Sequence, residues 1–343
     1  MRRSSRGCRF HQGTYLRSIQ EVRQFSKLRH DNILPLLGIT TKFDLTVSIV
    51  SPWMQRGNAH DYVQDKAIDP RPLIEGIARG LQYLHHHSEG AISHGNLKGR
   101  NVLISEDGQA LLADFRISLY CNSLFSMSTS DYIGSALNWM APEILDGCAA
   151  SLEADVWAFG MMGLELFTRK DSFYGHRGTL GIVPRIAQGP PDRPGDEDTC
   201  FRMTNEWWNI LASCWQSDPH SRPAVSDLLD TIVSLSRSKG NHLDTLSQLD
   251  PHTVVHRPDP RRMLEALVRQ VSHNFPDINL DGRVDRNDNF VGRTISAATF
   301  LGTLRPSGAK VGVKIVCGDP PEDENTIKYL LDEVHVWSNV HCI

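Results

Sequence analysis

The sequence predicts a mixed α+β chain, and three observations carry that prediction. Segments with apolar residues spaced three or four apart alternate with short, continuous apolar runs bounded by turn residues. One stretch, Val156 to Phe167, is apolar almost throughout. Hydrophobic residues make up 40% and charged residues 22% of 343 residues, enough to bury a sizeable core. Taken in order, Ile19, Val22, Phe25 and Leu28 recur as one helix face. Val47-Ser-Ile-Val50, ahead of Ser51-Pro52, reads as a buried strand. Leu73, Ile77, Leu81 and Leu84 mark a longer amphipathic helix. Two short strands follow, Val102-Leu-Ile104 and Ala110-Leu-Leu-Ala113, joined through Glu106-Asp107-Gly108. Val156 to Phe167 predicts a helix buried on all sides, and Val225, Leu228, Leu229, Ile232 and Val233 form the stripe of a closing helix.

Composition divides the chain at Ser236. Residues 14–235 form one ordered region, residues 236–278 a linker containing Pro251, Pro258 and Pro260, and residues 279–343 a second ordered stretch. Met263, Leu264, Leu267, Val268 and Val271 fit a short helix within the linker. In the last stretch Val311 to Val316 is the clearest strand, and a charged helix spans about Glu322 to Trp337. Thirty-six basic against 40 acidic residues give 36 − 40 = −4, which does not favour nucleic acid or an anionic membrane as partner. No apolar run approaches the ~20 residues that span a bilayer, and no apolar core follows basic Met1-Arg-Arg to make a signal peptide. Seven cysteines without a CxxC pair suit reduced thiols, so a cytoplasmic or nuclear location is expected.

Three short motifs stand in fixed order: His94-Gly-Asn-Leu-Lys-Gly-Arg-Asn101, then Asp114-Phe-Arg116, then Met140-Ala-Pro-Glu143. Here the chain resembles the protein kinase family, which carries H-R-D-x-K-x-x-N, D-F-G and A-P-E in that order. Asp155-Val-Trp-Ala-Phe-Gly160, Cys214-Trp215, Arg222-Pro223 and Glu21-Val22 with Leu28-Arg-His-Asp-Asn-Ile33 extend the match over about 220 residues. The wording around Trp139 and Lys98 is nearest the tyrosine-kinase-like group. The resemblance implies a protein-kinase-like α+β fold: mainly the helical C-lobe, with a partial β-rich N-lobe. It implies ATP and Mg2+ as cofactors, Ser/Thr protein phosphorylation, and a protein substrate or signalling partner. By the same resemblance Asn101 and Asp114 hold the magnesium ions, Lys98 lies near the transferred phosphoryl group, and Glu143 pairs with Arg222.

The departures point away from catalysis. Asn96 stands where the family has its catalytic Asp, and an amide cannot take the hydroxyl proton, help worth ~10²–10⁴-fold. Arg116 replaces the Gly after Asp114-Phe115, and Gly95 replaces the Arg that reads an activation-loop phosphate. The few residues ahead of the Glu21 helix leave no room for a glycine loop or a strand-borne lysine. Those pieces reappear at the far end. Gly308-Ala-Lys-Val-Gly-Val-Lys-Ile-Val316 resembles the V-A-I-K strand, making Lys314 the phosphate-binding lysine, with Glu333 as its helix partner. Its upstream loop, Thr294-Ile-Ser-Ala-Ala-Thr299, lacks glycine. The expectation is a partial second kinase N-lobe at residues 279–343 and a catalytically impaired pseudokinase acting as a signalling scaffold. The alternative is an active Ser/Thr kinase whose pocket is completed by residues 279–343 or by upstream sequence. Docking of the tail would cover apolar surface on the Val47 strand, although Glu333 would then compete with Glu21.

Four further features carry a sharp and a bland reading. Asp277-x-Asn279-x-Asp281-Gly282 with Asp285 and Asp288 nearly matches a calcium loop, or is the acidic lead-in to a strand. His85-His-His87 with His94 is a metal cluster, or a helix end followed by a loop whose histidine packs on backbone. Trp207-Trp208 anchors a partner, or packs in the core. Ser123 to Ser130 is a phosphorylation site, or a polar activation loop.

Overall fold

The computed structural model describes residues 27–40, 48–114, 137–171, 173, 185–186, 189–240, 280, 282–293 and 297–316. The chain divides into two compact units, one of Arg29–Leu34 with Met54–Asn241, the other of Met1–Leu28, Pro35–Trp53 and His242–Ile343.

The first unit is helical, with helices α1 (Ala59–Tyr62), α2 (Arg71–His85), α3 (Pro142–Leu145), α4 (Leu152–Thr168), α5 (Asn205–Ser213) and α6 (Val225–Gly240). Pro72 lies in the first turn of α2, where its missing N–H costs nothing. The stripe predicted for this helix, Leu73, Ile77, Leu81 and Leu84, is buried, and the helix packs against α6 and β4. Helix α4 is capped by Ser151, whose hydroxyl accepts the Ala154 N–H, and every residue from Asp155 to Phe167 is buried. Gly160 and Gly163 permit this. A Cβ at either would come within 2.6 Å of Trp215 Nε1 or 2.5 Å of Leu211 Cδ2, so the glycines let α5 and the turn after it lie directly on α4. The predicted hairpin is present as β3 (Val102–Ile104) and β4 (Ala110–Leu112), and residues 32–34 bond along β4 through Leu112 N–H to Asn32 O and Leu34 N–H to Leu112 O. Helix α6 continues to Gly240, past the change of composition at Ser236. Ser236 bonds both back to Ile232 O and across to Glu75 on α2.

The second unit holds five antiparallel strands: β1 (Gly38–Thr40), β2 (Ser48–Pro52), β5 (Val284–Arg293), β6 (Ala297–Leu304) and β7 (Ala309–Val316). Their spatial order is β1-β2-β7-β6-β5. The strand predicted at Val47–Val50 therefore neighbours one from the far end of the chain, with Ser48 opposite Ile315 and Pro52 opposite Val311. One core cluster joins both segments: Leu37 and Val50 with Leu280, Val284, Leu304, Val311 and Val313.

Strand β5 corrects the calcium reading. Asp285 and Asp288 lie within it, and Asp285 pairs with Arg305 in the β6–β7 turn. A strand lays its backbone out along an extended line, unlike the tight loop that wraps its ligands around one ion. Residues 277–279 and 281 lie outside the described residues, as do the helices expected at Met263–Val271 and Glu322–Trp337 and most of that at Ile19–Leu28. Among the described residues no helix is long and apolar enough to cross a membrane.

Candidate active site

Two buried carboxylates on α4 shape the loop that follows α2. The first is Asp155, 1% exposed. Its Oδ2 accepts the His94 N–H at 2.7 Å and lies 3.0 Å from His85 Nε2, while its Oδ1 accepts the Gly95 N–H at 2.7 Å. Gly95 has φ +67, which glycine adopts without strain and which lets successive amides address one carboxylate. His94 is fully buried, and burial pushes its imidazole pKa below the ordinary value, against the opposing pull of Asp155 and Asp114. Its Nδ1 accepts the Asn96 N–H at 3.3 Å, as a neutral ring can. The histidine reading resolves accordingly: among the described residues no gathered group of metal-ligating side chains includes His85, His86, His87 or His94.

The second carboxylate is Glu165, which is fully buried. Its Oε2 accepts the Gly99 N–H at 3.0 Å and the Trp139 indole N–H at 2.7 Å, while its Oε1 lies 2.6 Å from His60 Nδ1. Asp171 adds an oxygen 3.7 Å from that nitrogen. The three acceptor and donor atoms gather as metal ligands would. Yet separate ligands about 2.1 Å from one ion lie ~3 Å apart, so 2.6 Å marks a hydrogen bond. Neither Glu165 nor His60 stood out in the sequence reading; the available signal was a lone carboxylate inside an apolar helix.

Between these anchors lie the predicted site residues. Asn96 donates through Nδ2 to Asp114 O at 3.3 Å, and Asn101 donates through Nδ2 to Asn96 O at 2.7 Å. Ala113 N–H in turn donates to Asn101 O at 2.9 Å, so Asn96, Asn101 and Asp114 form one cluster. Asp114 has φ 54, a left-handed backbone that few non-glycine residues adopt. Lys98 lies beside them, its Nζ 5.8 Å from the centre of the Trp139 ring. Asn96 and Lys98 line a cleft whose walls include Trp139, Met140, Ile144 and Ala158. The donor set suits a hard cation: the Asn101 amide nitrogen is engaged with Asn96 O, leaving its amide oxygen, with the Asp114 carboxylate, as the ligand type magnesium takes.

Glu143 and Arg222 pair as expected, through two parallel bonds of 2.6 and 2.8 Å. Trp207 is 2% exposed and packs edge-on to Phe167, which supports its core reading. Lys314 lies on β7, half-buried, opposite Ile49 on β2 and Thr299 on β6. Glu21, Glu333, Arg116 and Ser123–Ser130 lie outside the described residues.

Comparison with known proteins agrees with this geometry. The family described as protein tyrosine and serine/threonine kinase matches residues 10–232. A mitogen-activated protein kinase kinase kinase of Drosophila melanogaster is 30% identical over 234 residues, 64% of this chain and 19% of that protein. The mitogen-activated protein kinase kinase kinase 2 of Arabidopsis thaliana is 28% identical over 214 residues, covering 61% and 32%. The RGS domain-containing serine/threonine-protein kinase A of Dictyostelium discoideum is 30% identical over 232 residues, covering 64% and 19%. The chain thus spans less than a third of the length of these relatives.

Proposed function

This chain belongs to the protein kinase family, and from that premise we propose that it is a catalytically impaired member, a pseudokinase whose helical unit binds polypeptide as a signalling scaffold. The observation that carries the reading is Asn96. Its amide donates to Asp114 O at 3.3 Å, a role that no ionised carboxylate can fill. The loop is thus built around a donor at the position where the family needs a proton acceptor. A carboxylate introduced there would face a carbonyl oxygen, so Asn96→Asp alone is not expected to restore transfer.

The rest of the loop retains what binding needs. Asp155 and Glu165 hold the backbone at His94, Gly95 and Gly99, and the cleft beside Asn96 keeps apolar walls with Lys98 among its lining residues. A polypeptide laid in that cleft would place a hydroxyl near Asn96 without a base to deprotonate it. Bound ATP would supply the transferable phosphoryl group and Mg2+ its charge neutralisation; Asn101 and Asp114 are the residues that would hold the metal.

The competing reading is an active Ser/Thr kinase, and the observation in its favour is Lys314 on a sheet shared with residues 48–52. Labelled ATP with magnesium and a generic Ser/Thr substrate separates the two. No transfer above background is expected. Transfer that Asp114→Ala abolishes would overturn the pseudokinase reading and leave the family assignment intact.

A further inference from the structure

We propose that residues 280–316 are a permuted part of the sheet begun by residues 37–52, docked in cis on the β2 edge, and not the opening strands of a second domain. The inference stands on the sheet alone and does not depend on whether the chain transfers phosphate.

The first segment makes no stable sheet by itself, and the second, three strands long, would leave β7 as an open edge. Strands β1 and β2 have three and five residues, and an isolated two-stranded ribbon of that size is marginal in water. Without a neighbour, β2 would present an unpaired edge, the feature that soluble proteins take care to cover. Strand β7 covers it over five consecutive register pairs, Ser48–Ile315 to Pro52–Val311, and Trp53 N–H extends the ladder to Lys310 O. The apolar cluster divides in the same way. Leu37 and Val50 come from the first segment, and Leu280, Val284, Leu304, Val311 and Val313 from the second. Two side chains make no core; seven from both segments do. Ser48, Val50, Val311 and Val313 are each fully buried at this seam.

The occupant of the β2 edge is this chain's own segment rather than that of a second copy. Both segments are held on one chain, so their pairing is intramolecular and does not depend on protein concentration, whereas pairing with a second copy does. In the kinase family the lysine strand precedes the glutamate helix, whereas here it follows most of the chain and reaches its place in the sheet from the other end.

The test uses the full-length chain with Ser51→Cys and Gly312→Cys, which are register partners; a Cβ at Gly312 lies 3.5 Å from Ser51 Oγ. After mild oxidation, peptide mass mapping should find a 51–312 disulfide in most of the monomer, and neither single variant should show it. Absence of that link, or its presence only in dimers, would overturn cis docking. Should the double variant fail to fold, a protease site placed between residues 241 and 279 of the otherwise natural chain decides the matter. After cleavage the two fragments should co-elute from a sizing column as one particle of monomer mass; separation, or a dimer-sized particle, would overturn the proposal.

Discussion

Arg222→Ala should lower the melting temperature of the helical unit by roughly 6–20 °C. The Arg222 side chain is fully buried and its partner Glu143 is 17% exposed. The guanidinium makes two short bonds to the Glu143 carboxylate, donates to Glu153 O at 2.9 Å and to Gln216 O at 3.0 Å, and lies 5.1 Å over the Trp157 ring. Truncation strands one largely buried carboxylate and two carbonyls at once. Removing one partner of a buried pair costs ~3–5 kcal/mol. A domain of this size shifts by about 2–4 °C per kcal/mol, which gives the range above. Circular dichroism at 222 nm follows the helices, and tryptophan fluorescence follows the buried tryptophans of the unit, Trp157 beneath the lost guanidinium among them. The double variant with Glu143→Ala should lose less than the sum of the single losses, because the second truncation removes the stranded charge. A shift below about 2 °C for Arg222→Ala, or strict additivity, would refute the idea that this pair anchors the segment around Glu143.

Three other outcomes follow from the same geometry. Gly99→Ala would put a Cβ within 2.5 Å of Glu165 Oε1, a carboxylate already held by Trp139 and His60, so a loss of about 1–3 kcal/mol is expected in denaturant titration; an unchanged midpoint contradicts it. Asp155→Asn keeps one acceptor oxygen and turns an NH₂ towards a backbone N–H of His94 or Gly95, which should cost about 1–3 kcal/mol and raise hydrogen exchange at both amides; native protection there refutes it. Burial lowers the imidazole pKa of His94 and of His30, the latter with Arg79 adding and Asp31 opposing. The unfolded chain therefore binds more protons below about pH 6.5, and stability should fall as pH drops from about 7.5 to about 5.5. A melting temperature that stays level or rises over that interval refutes this.

Local pattern made much of the molecule legible. The stripe Leu73–Leu84 became α2, the two short apolar runs became β3 and β4, and the apolar block became α4, because side-chain periodicity follows from backbone geometry alone. The loop motif likewise identified Asn96, Lys98, Asn101 and Asp114 as neighbours, since three of them lie within six residues and Asp114 follows a short hairpin. Tertiary structure decided what pattern could not carry. Asp155 stood out only as part of a family string, and Glu165 not at all. Their roles depend on amides 60 to 66 positions away that a buried helix brings within hydrogen-bond distance. The pairing of β2 with β7 joins residues more than 250 positions apart. Each strand reads as apolar by itself, and nothing in either states its neighbour. That choice comes from burying one shared apolar face and closing one open edge, which are properties of the assembled sheet.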